Sequence, residues 1–329
     1  MKILEPNINS IFNIESEEDF AQKAIEIFRY QANNCDVYKE FISLLKVDIS
    51  EIKEVDQIPF LPISFFKTRK VISTDSHEKI FKSSGTTGQI RSQHYVHSLS
   101  LYRDSFVNGI NQFYGDYKNY TILALLPSYL EQGDSSLVHM VDYLIENSKQ
   151  NDSSFYLNNH HELSEKIDEL EQKAKKYMLF GVSYALLDFK DQFPKEMKHG
   201  IVMETGGMKG RRKEMTKNEL HADLMEGFGT KEVHSEYGMT ELLSQAYSQK
   251  EGVYNCPAWM KILLRNTSDP LQVFAKQGKG LINIIDLANV HSCSFIATDD
   301  IGRIESGNSF SILGRFDTSE IRGCNLMVD

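Results

Sequence analysis

Four short apolar runs, each bounded by glycine or proline, set the strongest limit on how this chain can fold. They are YTILALLP (120–127), YMLFGV (177–182), GIVMETGG (200–207) and KEVHSEYG (231–238). Runs of this length with little alternation suit strands covered on both faces, as in a largely parallel sheet. Segments of helical spacing alternate with them. Ser16-x-x-Asp19 predicts a capping box ahead of Phe20, Ala24, Ile27 and Phe28. Leu163, Ile167, Leu170, Ala174 and Tyr177 predict a second helix. Thr216 with Glu219 predicts a third, with Leu220, Leu224 and Phe228 on its apolar side and Gly227 and Gly229 as its stop. Beyond about residue 250 the texture changes. WMKILL, GLINIID, CSFIATDD and SFSILG follow one another closely with turn residues between them, which suits antiparallel structure. The expected fold is α/β with a β-rich C-terminal third. It divides into a helical N-terminal segment (1–57), an α/β core (58–250) and a β-rich subdomain (251–329).

Composition narrows the function. The chain has no run of 18 apolar residues and so no expected membrane span, and its start, MKILEPNINS, lacks the basic and apolar regions of a signal peptide. A cytoplasmic location is expected. With 46 acidic against 36 basic residues, a net charge of -10 argues against a nucleic-acid surface. The one dense basic cluster, Lys209, Arg211, Arg212 and Lys213, reads either as a solvated turn or as a local anion site. Four scattered cysteines (Cys35, Cys256, Cys293, Cys324) indicate neither a disulfide framework nor a zinc site.

Four motifs carry possible chemistry. In KSSGTTGQ (82–89), six small residues follow an expected strand, and such a loop can turn its N–H groups and hydroxyls toward a polyphosphate; no GK[ST] follows, so it is not a Walker loop. In EYGMTE (236–241), Tyr237 offers a flat face to a base, Thr240 a hydroxyl to phosphate and Glu241 a hard oxygen to Mg²⁺. In ATDDIGR (297–303), adjacent carboxylates can accept from the paired hydroxyls of a ribose. GRFD (314–317) is a glycine-led turn with an Arg and an Asp. Taken singly, each also has an ordinary reading as a surface loop or turn.

In this order and spacing, the four motifs resemble those of the adenylate-forming superfamily of acyl-CoA synthetases, luciferases and peptide-synthetase adenylation domains. Within it, IPFLPISFFKTRKV (58–71), LLPSYLEQGDSSLVHM (125–140), ETGGMKGRRKEM (204–215) and EIRGCNLMVD (320–329) look like the acyl-protein synthetase of bacterial luminescence. The similarity runs from about residue 58 to the end. It implies the N-terminal domain of an adenylate-forming enzyme, with ATP and Mg²⁺ as cofactors and a carboxylic acid, fatty or aromatic, as substrate. It also implies site residues. Ser83, Ser84, Gly85, Thr86, Thr87 and Gly88 would hold phosphates, with Gly206, Gly207 and Gly238 beside the nucleotide. Tyr237 would stack on adenine, Thr240 would contact phosphate, Glu241 would bind Mg²⁺, Asp300 rather than Asp299 would grip the ribose, and Arg315 would lie near the ribose or phosphate. Ser128 and His139 would border the acyl site.

One departure stands out. Most of the superfamily continues past the GRxD turn into a mobile domain of on the order of 100 residues that supplies a lysine, whereas here twelve residues follow Asp317. The fold is therefore expected to lack that domain, and Lys209, Arg211 and Arg212 become the candidates for stabilising charge on the phosphorus. Related phenylacetate-type ligases have IRGVN where this chain has IRGCN, so Cys324 stands where valine would. The luminescence synthetase carries its acyl group on a cysteine near its C-terminus, which Cys324 resembles in placement. The expected reaction is thus acyl-AMP formation followed by transfer to Cys324, and onward to an acceptor protein such as a reductase or carrier protein. Two alternatives remain: a ligase using the external thiol of CoA or a carrier protein, and a nucleotide-binding subunit that needs a partner for catalysis.

Overall fold

The computed structural model describes residues 5–84, 90–127, 133–207, 212–213, 215–267, 271–274 and 277–316. Two helices come first, α1 (Glu17–Asn34) and α2 (Asp36–Leu44), followed by β1 (Leu61–Pro62), α3 (Phe65–Thr68) and the hairpin β2 (Lys79–Lys82) and β3 (Gln93–Val96). The middle of the chain alternates: α4 (Leu99–Tyr114), β4 (Thr121–Leu125), α5 (Ser136–Asn147), β5 (Ser154–Phe155), α6 (His160–Gln172), β6 (Tyr177–Val182), α7 (Ser183–Gln192), β7 (Gly200–Thr205), α8 (Lys217–Phe228) and β8 (His234–Tyr237). The remainder is β9 (Ala246–Ser248), β10 (Val253–Asn255), β11 (Met260–Arg265), β12 (Val273–Phe274), β13 (Gly278–Asp286), β14 (Phe295–Ser306) and β15 (Ser309–Arg315).

Among the described residues, one sheet runs β12-β11-β13-β14-β15-β10-β9-β8-β7-β6-β4-β5, with β1 paired to β14. From β5 to β8 every pairing is parallel, and from β8 to β12 every pairing is antiparallel. The α/β reading and the β-rich C-terminal third both hold. The physical basis is the one read from the apolar runs: β4 and β6 are buried at every position and β7 at its last four.

Two of the three expected helices need correction at their ends. Leu163, Ile167 and Leu170 form the buried face of α6, but the helix stops at Gln172. Ala174 takes a left-handed turn (φ 50°) and Tyr177 opens β6, because the chain must reverse there to enter the sheet. In α8 the Thr216–Glu219 capping box forms as expected, but Gly227 lies inside the helix; the left-handed Gly229 (φ 55°) ends it. At α1, Ser16 caps the first turn by accepting from the Asp19 N–H at 3.1 Å. None of the described helices is long and apolar enough to cross a membrane.

The N-terminal helices are tied to the far end of the chain by a buried polar joint. Gln31, fully buried on α1, donates through Nε2 to the carbonyls of Asn289 (3.0 Å) and Val290 (2.9 Å), and its Oε1 accepts from the Ser294 N–H (2.9 Å). Phe28 adds an edge-on contact to Phe295 with ring centroids 6.1 Å apart. Replacing Gln31 with Leu keeps the volume but strands the buried Ser294 N–H, worth about 1–3 kcal/mol when unpaired; the Asn289 and Val290 carbonyls keep the Ser292 N–H (3.1 Å) and the Ser73 hydroxyl (3.0 Å) as donors. Urea unfolding of Gln31→Leu should show a loss of roughly 1–3 kcal/mol. A loss under about 1 kcal/mol would mean that apolar packing alone docks α1.

Candidate active site

Open α/β sheets place their ligand sites beyond the carboxyl ends of the parallel strands, where the topology changes. Here β6, β7 and β8 end at Val182, Thr205 and Tyr237, next to the point where β8 passes to the antiparallel β9. Two cavities of about 500 and 480 Å³ open over these ends and share Ser84, Gly206, Gly238, Met239 and Thr240 as a common wall.

The second cavity gathers residues far apart in sequence. Ser83, Tyr237, Glu241, Thr298, Asp299, Asp300 and Arg315 line it, with Lys67 from α3. The Tyr237 hydroxyl donates to Asp300 Oδ2 at 2.7 Å, and Asp300 lies opposite Arg315 in the β14–β15 register. Asp299 is turned differently: its carbonyl accepts from the Phe316 N–H at 2.7 Å, and its carboxylate stands 3.9 Å from Arg315. Burial raises the Asp300 carboxyl above its ordinary range, against the pull of the Tyr237 hydrogen bond. Burial does the same at Glu241, opposed by a Ser92 hydrogen bond and by the charges of Arg315 and Lys67. Both carboxylates would therefore gain from a cationic or hydrogen-donating ligand. No group of three or more His, Cys, Asp or Glu forms a metal cage among the described residues. A divalent ion held at Glu241 would thus draw its other ligands from phosphate and water, which is how Mg²⁺ is commonly bound.

The segment after β8 owes its shape to groups behind it. Asp286 accepts from the N–H groups of Leu243 (2.8 Å) and Ser244 (3.0 Å) and from the Ser244 hydroxyl (2.5 Å). Asn289 donates to the Glu241 carbonyl at 2.8 Å, while His94 Nδ1 meets the Thr240 carbonyl at 2.8 Å. Burial lowers the His94 imidazole to about 4. At Gly238 an added Cβ would lie 2.3 Å from Glu236 Oε1, so only glycine lets that carboxylate approach. Gly206, with φ 78°, turns the chain out of β7.

The first cavity is lined by Tyr102, Leu137, Met140, Val182, Thr205, Glu236 and Gln245, with Lys82, Arg91 and Asp134 at one side. Arg91 holds the Ser83 carbonyl, the Lys82 carbonyl (3.3 Å) and the Asp134 carboxylate (3.1 Å). The Ser83 hydroxyl accepts from the Ser92 N–H at 2.9 Å. These contacts clamp the base of the small-residue segment. Beneath the cavity, Glu204 is fully buried, paired with Lys217 at 2.6 Å and accepting from Ser183 at 2.6 Å.

Of the residues expected from the sequence, Ser83, Ser84, Gly206, Tyr237, Gly238, Thr240, Glu241, Asp300 and Arg315 come together around these cavities. Gly85, Thr86, Thr87, Gly88, Ser128, Lys209, Arg211 and Cys324 lie outside the described residues. Gly207 is exposed and lines neither cavity. His139 also lies off both linings; its ring stacks on Tyr102 (centroids 5.9 Å) and tilts against Phe81 (5.5 Å), and burial holds it near 4. Arg212 is engaged away from the site, at Asp188 (2.8 Å) and Asp191 (2.7 Å) of α7. Lys67, Lys82, Arg91, Asp134, Glu236 and Gln245 were not singled out in the sequence. Glu236 opens the EYGMTE motif and Gln245 follows it by four residues, which was the available signal.

Glu236 generates a pH prediction. Burial, with the nearby Glu204 charge adding to it, raises its carboxyl from 4.5 to about 7 even though Thr205 donates to it at 2.5 Å. Below pH 4.5 both folded and unfolded chains hold the proton, and above 7 neither does. Between these values only the unfolded chain releases it, so stability falls as pH rises, by up to ~3 kcal/mol. Glu236→Gln should abolish that part of the slope, and urea unfolding at pH 5 and pH 7.5 should show the variant gaining on the wild type. Equal slopes in the two proteins would mean that Glu236 ionises as an ordinary glutamate.

Comparison with known proteins agrees with this geometry. Two solved structures share the fold. An open conformation of 2-hydroxyisobutyryl-CoA ligase, in complex with 2-HIB-AMP and CoA, aligns with a TM-score of 0.67 at 8% identity over 96% of this chain and 80% of that one. The O-succinylbenzoate coenzyme A synthetase of Bacillus subtilis, in complex with ATP and magnesium ion, aligns with a TM-score of 0.51 at 16% identity over 74% of this chain and 51% of that one. At these identities the likeness is one of fold, that of adenylate-forming ligases. A long-chain-fatty-acid–luciferin-component ligase of Photorhabdus luminescens is 33% identical over 76 residues, which is 22% of this chain and 65% of that protein. The match thus spans just under two thirds of the relative's length. The family model described as acyl-protein synthetase, LuxE, matches residues 10–329, and the chain belongs to that family.

Proposed function

We propose that the chain is an acid–thiol ligase: it condenses ATP with a carboxylic acid to acyl-AMP and pyrophosphate, then passes the acyl group to a thiol, its own Cys324. The observation that carries this reading is the wall shared by the two cavities. A nucleotide lying against Tyr237, Asp300 and Arg315 and an acid lying against Tyr102, Met140 and Val182 would bring an α-phosphate and a carboxylate together at Ser84, Gly238 and Thr240. The fatty-acid ligase named among the relatives supports an aliphatic acid, and the family supports an acyl-accepting protein partner.

In this scheme the carboxylate oxygen attacks the α-phosphorus and the bond to pyrophosphate breaks. Tyr237 offers its ring to the base and, through its hydroxyl, orients Asp300 toward the ribose. Asp300 accepts from the ribose hydroxyls, Thr240 contacts phosphate, and Arg315, Lys209 and Arg211 offset the charge that builds on the phosphoryl oxygens. Mg²⁺ held at Glu241 would neutralise charge on the phosphates. In the second step the Cys324 thiolate attacks the acyl carbonyl, AMP leaves, and the thiol proton goes to solvent.

Carboxylate-dependent exchange of labelled pyrophosphate into ATP tests the first step. Glu241→Gln should lower it by about 10²–10³ while keeping the fold, as loss of a charge-stabilising group does; a variant within twofold of wild type would remove Glu241 from the reaction. The second step is read by mass. With ATP, Mg²⁺ and an accepted acid, the wild type should gain one acyl group, removable by neutral hydroxylamine, on the peptide that contains Cys324. Cys324→Ser should still make acyl-AMP without that adduct, because a serine hydroxyl with no adjacent base is a poor nucleophile. Rapid transfer to added CoA with no protein adduct would favour a ligase that uses an external thiol.

A further inference from the structure

The acid-side cavity is not a plain apolar slot. Its described wall commits several of its donors within the protein and leaves two side-chain oxygens without a hydrogen-bond partner. Arg91 is committed to the Ser83 and Lys82 carbonyls and to Asp134, and Lys82 also faces Asp134 at 3.8 Å. The Thr205 hydroxyl is spent on Glu236 Oε2 at 2.5 Å, and the Tyr102 hydroxyl on the Ser136 carbonyl at 3.0 Å. Against these stand two oxygens. Gln245, 6% exposed, lines the cavity with an amide whose buried Oε1 has no hydrogen-bond partner and whose Nε2 has none among the described residues, so it can receive a donor and return one. Glu236, 8% exposed, accepts from the described residues only through Oε2, while its Oε1 faces the space over Gly238 and is a bare acceptor once the carboxyl ionises, above about pH 7. Both side chains border the same glycine: a Cβ built there would meet Glu236 Oε1 at 2.3 Å and Gln245 Cγ at 3.3 Å.

Buried acceptors without donors are costly, and a site that carries them discriminates sharply for a ligand that supplies the missing donors. Leu137, Met140, Val182 and the Tyr102 ring supply the apolar contact for the body of an acid. We infer that the acid this chain activates carries its own hydrogen-bond donor, a hydroxyl or amino substituent, which Glu236 and Gln245 receive. The inference rests on the acyl-adenylate reading and narrows it: an unsubstituted alkyl or aryl acid fits the apolar side but leaves both side chains without the partner that such a substituent supplies. Glu236 and Gln245 then act as specificity residues on the acid, apart from the nucleotide groups at Asp300 and Glu241.

Pyrophosphate exchange by the full chain with matched acids tests this. The panel sets butyrate, tetradecanoate and benzoate against their 3-hydroxy and 3-amino derivatives. In at least one series the substituted acid should exceed its plain partner in kcat/KM by at least about tenfold, the size of preference a hydrogen-bonding pocket readily imposes. Glu236→Gln and Gln245→Met should each shrink that ratio. Because the readout is a ratio within one protein sample, a lower yield of folded variant does not mimic the effect. Plain acids turning over as fast as or faster than every substituted partner, or a ratio untouched by both substitutions, would overturn the inference and leave adenylation standing. Absence of exchange with every acid would overturn the adenylation reading, and the inference with it.

Discussion

The site hangs on a buried polar bracket between the antiparallel strands and the turn after β8. Asp286 and Asn289 are both fully buried, and between them they fix the Leu243 and Ser244 N–H groups and the Glu241 carbonyl. Trp259 reinforces the bracket by donating to the Ser244 hydroxyl at 2.9 Å. A carboxylate taken out of water is tolerable only when donors surround it, and a network satisfied in this way is rigid because each member has few alternatives. Met239, Thr240 and Glu241 are consequently held in one place relative to β14, which brings Asp300. The residues of the second cavity are arranged from behind, by groups that line neither cavity.

A second layer of charge lies under the first cavity. Glu204 at the end of β7 is paired with Lys217 at the start of α8, and Glu236 stands one strand over. Breaking a buried pair by removing one partner leaves an uncompensated charge, so such pairs resist substitution even where they add little net stability. With Lys217 committed to Glu204, Glu236 keeps only Thr205 and the cavity, and its proton is held near neutrality. The same arrangement that makes Glu236 an expensive residue for the fold makes it available to a ligand.

Much of the architecture was legible in the chain because the determining signals are local. Continuous apolar runs identified β4, β6 and β7, and the Thr216–Glu219 box marked the start of α8 at its true position. The helix ends were less legible, since Ala174 and Tyr177 keep the helical spacing of α6 while the chain has already turned toward β6. Spacing reports which residues share a face; it does not report where tertiary packing reverses the chain. His139 illustrates the same limit at the site, because sequence proximity to a motif does not say which way a helix turns its ring.

The sequence by itself determined the motif order, the residue types able to meet a nucleotide, and the alternation that commits the chain to a mixed sheet. These depend on short-range chemistry: small residues in a loop, a carboxylate after a strand, apolar runs of strand length. Only the tertiary structure decided that Tyr237 and Asp300, 63 positions apart, share a hydrogen bond, and that Glu236 and Gln245 both border Gly238, each with an oxygen that lacks a partner among the described residues. A single strand cannot specify its neighbours' donors. Whether a buried oxygen is satisfied is a property of everything packed around it, and that is settled only when distant strands come into register.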